Sequence, residues 1–190
     1  MRREFHVRFC EGGGAQFPSA TRLVLLCRSE SDAHAALALL QSWTTDAALR
    51  LHPDKTRIVD ATQRGGFDFL GYHFERGYRW PRTKSLRTLK DTLRAQTRRT
   101  NGISLAAIVA TLNPVLRGWY AYFRHSHITT FAPIDQWLRM RLRSILRKRH
   151  GRRGRGRGYD HVRWPNTFFT AAGLVSLVDA HAAARHPSSR

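Results

Sequence analysis

The side chains best suited to chemistry in this sequence are cations at helical spacing. Lys84, Arg87, Lys90, Arg94, Arg98 and Arg99 follow one another in a stretch with a single acid, Asp91. Residues three and four apart share a helix face, so a helix here presents a surface of one sign. A merely solvated face usually mixes signs. A second basic set, Arg139, Arg143, Arg147 and Lys148, lies in a later helical stretch. A third, Arg152, Arg153, Arg155 and Arg157, alternates with glycine, and Arg117 and Arg124 flank an aromatic run. Guanidinium groups contact phosphate bidentately and stack on bases. The chemistry these residues suggest is recognition of a nucleic-acid backbone.

The distribution of charge supports this. The chain has 33 Lys+Arg and 13 Asp+Glu. Residues 1–75 hold 9 basic and 9 acidic residues, so the rest of the chain carries the whole net charge of +20. Neutralising phosphates releases counterions, so a polyanion is the natural partner. A membrane surface is the competing polyanion. No segment, however, approaches the ~20 apolar residues of a transmembrane span, and the N-terminus lacks the apolar run of a signal peptide. No membrane partner is expected.

Other chemistry is poorly supplied. Cys10 and Cys27 are the only cysteines and lack CxxC spacing, which suits a reduced, intracellular setting better than zinc or a disulfide framework. His125 and His127 form a tempting pair with no third ligand nearby. Capping the preceding helix or touching RNA suits them better, and no metal site is assigned.

Helices must position the cations. Leu86, Leu89 and Leu93 give a helix over Lys84–Arg99 its apolar face, and Asn101-Gly102 should end it. Ser104 can cap a helix carrying Leu105, Ile108, Val109 and Leu112, which Asn113-Pro114 should break or kink. It resumes through Leu116 into Gly118-Trp119-Tyr120-Ala121-Tyr122-Phe123, where Trp119, Tyr122 and Phe123 should share a core face. Another helix starts at Thr130 or Ala132-Pro133, with Ile134, Trp137, Leu138, Leu142 and Ile145 inside. The Arg-Gly tract after His150 reads as a mobile loop that orders on RNA. After Trp164, a helix is expected over about 171–184, then a frayed tail over 186–190.

The N-terminal half reads differently. Residues 1–22 should be a disordered or degenerate lead-in. Leu23–Cys27 reads as a buried strand and Ser29 as the cap of a helix with Ala33, Leu37, Leu40, Trp43 and Ala47 inward. Short strands are expected at Leu49–Leu51, before Val59, and over Phe67–Phe74. The fold class is therefore α+β, a small strand-and-helix unit followed by a basic helical one.

Leu51-His52-Pro53-Asp54-Lys55-Thr56 and Phe67-Asp68-Phe69-Leu70-Gly71-Tyr72 resemble the last palm motifs of bacterial group II intron reverse transcriptases. Gly118-Trp119 with Tyr122-Phe123, then Trp137-Leu138-Arg139, resembles the maturase-specific thumb of that family. Trp164-Pro165-Asn166 with Gly173–Leu177 is similar to its end. The likeness covers about residues 23–185 and implies a partial palm over 23–80 and a helical maturase-specific domain over 81–185. It also implies that Lys55 lies near the former polymerase site, or in a plain surface turn. Phe69-Leu70-Gly71 would correspond to the strand supporting a primer end, or serve only in packing. The family's paired catalytic carboxylates map onto Ser19-Ala20-Thr21-Arg22, with Thr21 and Arg22 in the carboxylate places. An Arg there repels Mg²⁺. No catalytic residue and no cofactor are assigned, Mg²⁺ being expected only in an intact parent polymerase. An out-of-frame origin of residues 1–22 would account for the change.

The expected function is that of an RNA-binding maturase fragment, holding structured intron RNA to aid folding and splicing in a bacterial cytoplasm. DNA is a second candidate partner, and the sequence does not set an oligomeric state. Two alternatives stay open. One is part of an RNA-directed DNA polymerase completed by a separate chain; the other is a remnant that binds nucleic acid non-specifically.

Overall fold

The computed structural model describes residues 24–53, 56–100 and 102–185 in full, and residues 5–10, 22 and 23 by their backbone. The class is α+β. The chain divides into two compact units, residues 1–79 and 80–190.

In unit 1, β1 (Phe5–Cys10) lies between β2 (Arg22–Cys27) and β3 (Arg57–Asp60), antiparallel to both. Val7 faces Leu25 on one side and Ile58 on the other. The expected lead-in therefore contains the middle strand of the sheet. Its signal was the alternation of Phe5, Val7 and Phe9 with His6, Arg8 and Cys10, a period of two. Residues 1–4 and 11–21 lie outside the described residues, as do three of the four positions aligned with the polymerase turn, Ser19, Ala20 and Thr21.

Helix α1 (Glu30–Asp46) starts at Ser29, whose hydroxyl accepts the Asp32 N–H at 3.1 Å. Ala33 is buried at the centre of a small cluster with Leu25, Cys27, Leu37, Leu40, Leu51 and Ile58. The inward stripe continues through Thr44, not Trp43, which is 61% exposed. Thr44 tolerates burial because its hydroxyl donates to the Gln41 carbonyl at 3.0 Å. Leu49–Leu51 is not a strand. The chain turns through Ala48 at φ +55°, and the Leu49 N–H closes on the Thr44 carbonyl at 2.7 Å.

The stretch 67–74, expected as one strand, is a hairpin. β4 (Phe67–Phe69) turns through Leu70 and Gly71, at φ +45° and +80°, into β5 (Tyr72–Glu75). Two positive φ values give a two-residue loop whose twist matches that of the strands. Phe67 and Phe74 face each other in register with ring centroids 5.1 Å apart. β6 (Tyr78–Pro81) follows in the order β4-β5-β6.

In unit 2, α2 (Thr83–Gln96), α3 (Leu105–Phe123), α4 (Phe131–Arg149), α5 (Asp160–Arg163), α6 (Asn166–Ala171) and α7 (Leu177–Arg185) enclose one apolar core. Leu89 and Leu93 enter it from α2, Ile108, Leu112 and Leu116 from α3, and Ile134, Leu138, Leu142 and Ile145 from α4. Helix α3 runs through Pro114 without a break. Core residues on either side hold it, and Asn113 binds the far loop: its amide donates to the Gly173 carbonyl at 2.9 Å and its oxygen accepts the Val175 N–H at 3.0 Å. Tertiary packing outweighs the hydrogen bond that proline removes.

Three further differences have local causes. Phe123 is buried and Trp119 half-buried, but Tyr122 is 54% exposed. Tyr120 turns inward instead and donates to the Ala180 carbonyl at 3.1 Å. Helix α2 stops at Gln96, leaving Arg98 and Arg99 beyond it, because Thr97 is held from α4. The last helix is two, separated at Gly173, whose φ of +84° an L side chain rarely adopts.

Candidate nucleic-acid interface

The surface of α2 carries the first basic set. Lys84, Arg87 and Arg94 are exposed on the helix and Lys90 is half-buried; Arg98 and Arg99 are exposed past its end. Leu89 and Leu93 fix this orientation by anchoring the opposite face in the core. Asp91 takes Arg94 Nη1 at 2.5 Å and is the only acid on the helix.

Trp137 of α4 sits beside this face with three cations over its ring. Lys90 Nζ, Arg94 Cζ and Arg141 Cζ lie 5.8, 5.6 and 5.3 Å from the ring centroid. Arg141, absent from the sequence-derived candidates, is fixed there. Its Nε donates to Thr97 Oγ1 at 2.7 Å and its Nη2 to the Thr97 carbonyl at 3.0 Å. Burial, then the charges of Arg94 and Arg99, hold its guanidinium below the usual arginine range. Like charges gathered around one indole, with little acid nearby, form a site that an anion would relieve.

The basic set on α4 divides. Arg143 is withdrawn from the surface at 3% exposed. Its Nε donates to the Trp164 carbonyl and its Nη2 to Asn166 Oδ1, both at 2.8 Å, and it lies over the Phe169 ring at 5.2 Å. Burial and the neighbouring Arg139 lower its pKa, against the opposing pull of Asp160. Arg139 lies 3.5 Å from Asp135 with little exposure. Arg147 donates to the Arg153 carbonyl at 2.8 Å and to Asp160 Oδ2 at 2.6 Å. These three face i, i+4, i+8 along the helix; Arg143 and Arg147 tie the following segments to it, while Arg139 pairs within α4. Helical spacing alone could not separate them from surface arginines. Lys148 and Arg149 remain exposed, and Arg149 Nη2 reaches the Ile103 carbonyl.

Arg152, Arg153, Arg155 and Arg157 are exposed in the loop after α4. Arg117 and Arg124 are exposed along and just after α3, and Arg124 Nε donates to His125 Nε2 at 3.2 Å. Meanwhile two of this unit's four acids turn inward, while Asp91 and Asp179 stay exposed. Asp135 is 3% and Asp160 1% exposed. Their charge is spent on internal ties, so the surface keeps its cations with few counter-charges.

Residues 86–164 match the family model for the group II intron, maturase-specific domain. This stretch is similar to that domain. It begins in α2 and ends at Trp164, so it takes in the Trp137 cluster, α3, α4 and the Arg-Gly loop. No curated protein matches the chain.

The motif residues fall around the maturase core. Trp164 is 6% exposed, its ring 5.5 Å from His150. Trp119 and Phe123, tilted to each other with ring centroids 4.7 Å apart, line a groove of about 360 Å³ between α2 and α3 together with Thr88 and Lys84. Gly118 is exposed, and a Cβ added there meets nothing within 4 Å. His127 pairs with Thr129 at 2.8 Å and lies 5.7 Å from the Trp80 ring. No group of three metal-ligating side chains occurs among the described residues, and no helix among them is long and apolar enough to cross a membrane.

The palm-like motif residues are all in unit 1. Phe69 ends β4, and Leu70 and Gly71 form its turn, so the primer-supporting strand of the resemblance is a strand end and a hairpin loop here. Lys55 lies outside the described residues. Arg22 opens β2. Phe67, Phe69 and Phe74 line an open apolar cavity of about 560 Å³ with Val24 and Leu26.

Proposed function

We propose that this chain binds folded group II intron RNA through its maturase-specific domain and aids the folding and splicing of that RNA, without polymerising DNA. The carrying observation is the separation of charge within the domain. Asp135 and Asp160 are buried and internally paired, while the cations of α2, the Trp137 cluster and the Arg-Gly loop face outward. A surface of that kind attracts a polyphosphate, and the Arg-rich composition favours bidentate phosphate contacts. The family match supports an intron as the source of that polyphosphate.

The test is competition binding at physiological salt. The purified chain is offered a folded group II intron RNA and an unrelated structured RNA of equal length. Preference for the intron supports a maturase surface. Equal affinity for both, lost as salt rises, would leave only a polycation and overturn the assignment.

A further inference from the structure

The Arg-Gly tract is not built like a mobile tail. Its start continues the end of α4: the Gly151 N–H donates to the Lys148 carbonyl at 3.0 Å and the Arg152 N–H to the Arg147 carbonyl at 3.1 Å. Arg147 Nε returns to the Arg153 carbonyl at 2.8 Å. Further on, the Gly156 N–H donates to Ser144 Oγ at 3.0 Å, and the Arg157 N–H to Asp160 Oδ2 at 3.2 Å. Gly156 itself is buried against α4. A Cβ there would stand 2.5 Å from Arg143 Cβ and 3.1 Å from the Arg143 carbonyl carbon. The glycine is thus required by close approach, with backbone on the opposing side.

The side chains between these ties behave oppositely. Arg152, Arg153, Arg155 and Arg157 are exposed, and their guanidinium groups make no hydrogen bond or ion pair among the described residues. The nearby acid, Asp160, is already taken by Arg147 and by the Arg157 N–H. The loop backbone is therefore anchored while its cations stay available.

We propose that the 151–158 loop is a preformed phosphate-binding comb that recognises base-paired stems of RNA over single strands. This rests on the RNA-binding reading and deepens it. A mobile Arg-Gly segment loses chain entropy on binding and adapts to any polyanion. An anchored loop has lost that entropy during folding. It also fixes the backbone positions from which the cations project, which suits the regular phosphate array of a double helix better than the variable spacing of a single strand.

Two charge-preserving variants test this, Gly156→Ala and Ser144→Ala. The first inserts a methyl where α4 blocks it; the second removes the acceptor for the Gly156 N–H and disturbs packing less. Each is titrated against an RNA hairpin stem and a single-stranded uridine oligonucleotide with the same number of phosphates. Amide exchange of Gly156 is followed in the free protein. We expect a slow Gly156 amide in the parent chain, stem affinity reduced about tenfold in either variant by renewed ordering cost, and uridine affinity unchanged. A Gly156 amide exchanging at the free-chain rate, or a folded Ser144→Ala protein with unaltered stem affinity, overturns the proposal. Failure of the parent chain to bind either RNA would instead remove the RNA-binding reading.

Discussion

The Asp135 carboxylate on α4 accepts the Ser176 hydroxyl at 3.0 Å, and the same carboxylate takes the Leu177 and Val178 N–H groups at 3.2 and 3.3 Å. Ser176 in turn accepts the Asp179 N–H at 3.2 Å. The start of α7 is therefore capped by an acid from another helix, 41 residues earlier in the chain. Carboxylates at helix N-termini satisfy otherwise unpaired N–H groups and favour the dipole.

Replacing Asp135 by Ala should detach α7 from the core. Hydrogen bonds to a charged acceptor are worth roughly 1.5–3 kcal/mol each, and a total loss of about 3 kcal/mol allows for local relaxation. Urea unfolding measures it. A change near zero would mean that Asp135 is not the anchor of α7.

Acid should weaken unit 2 through Asp160 and His181. Burial would raise the Asp160 pKa, but the Arg147 hydrogen bond, the Arg157 N–H and the charges of Arg147 and Arg152 outweigh it and hold it below 3.8. The unfolded chain takes the proton first as pH falls, so this carboxylate's contribution is complete above about pH 5 and fades through the folded value. His181 is lowered by burial, then by Arg185, against a hydrogen bond that its ring donates to the Arg124 backbone. Its neutral form packs 4.6 Å from Phe131, so its contribution is complete above 6.5 and declines below. Melting temperature against pH should drop in both ranges. A His181→Phe chain should lose the milder drop, and persistence of that drop would clear His181.

His73 should act in the opposite direction in unit 1. Burial alone would lower its pKa, but Asp68 at 2.8 Å and Glu75 at 3.3 Å raise it. A folded value above 6.5 gives stability that is complete below the unfolded pKa and is lost as pH rises through the folded one. Amide protection at β5, measured relative to the free-chain rate at each pH, should therefore fall from mildly acid to alkaline pH, and a His73→Gln chain should show a flat protection profile there.

Gly118→Ala should stabilise α3, since the new methyl enters open space on an exposed helix face. The gain should be about 1 kcal/mol, read as a higher melting temperature. Weaker RNA binding in that more stable chain would place RNA backbone against Gly118.

Neutralising Arg87, Lys90, Arg94 and Arg98 together should flatten the salt dependence of RNA binding, by about one unit of log–log slope per lost phosphate contact. An unchanged slope takes the α2 face out of the interface.

Much of this was legible in the chain. The apolar periods of α2, α3 and α4 are long and regular, and Ser29 and Ser104 cap the helices they precede, the latter accepting the Ala107 N–H at 3.1 Å. The hidden parts were those where local preference and long-range contact disagree. Pro114 suggests a break, yet Asn113 and the surrounding core keep α3 whole. Phe67–Phe74 alternates like one strand, yet Leu70 and Gly71 take positive φ and fold it back.

The sequence by itself determined the charge asymmetry, the helical period of the basic half and the resemblance to the maturase domain, because each is a property of residue type and spacing. Only the tertiary structure decided which arginines face outward. Arg143 and Arg155 are chemically alike, and neither spacing nor composition tells them apart. Arg143 is buried because the Trp164 carbonyl and Asn166, distant in sequence, arrive to satisfy it. Arg155 stays exposed because Gly156 beside it is the residue that packs against α4. Burial of a charge depends on partners that the chain supplies only after it has folded.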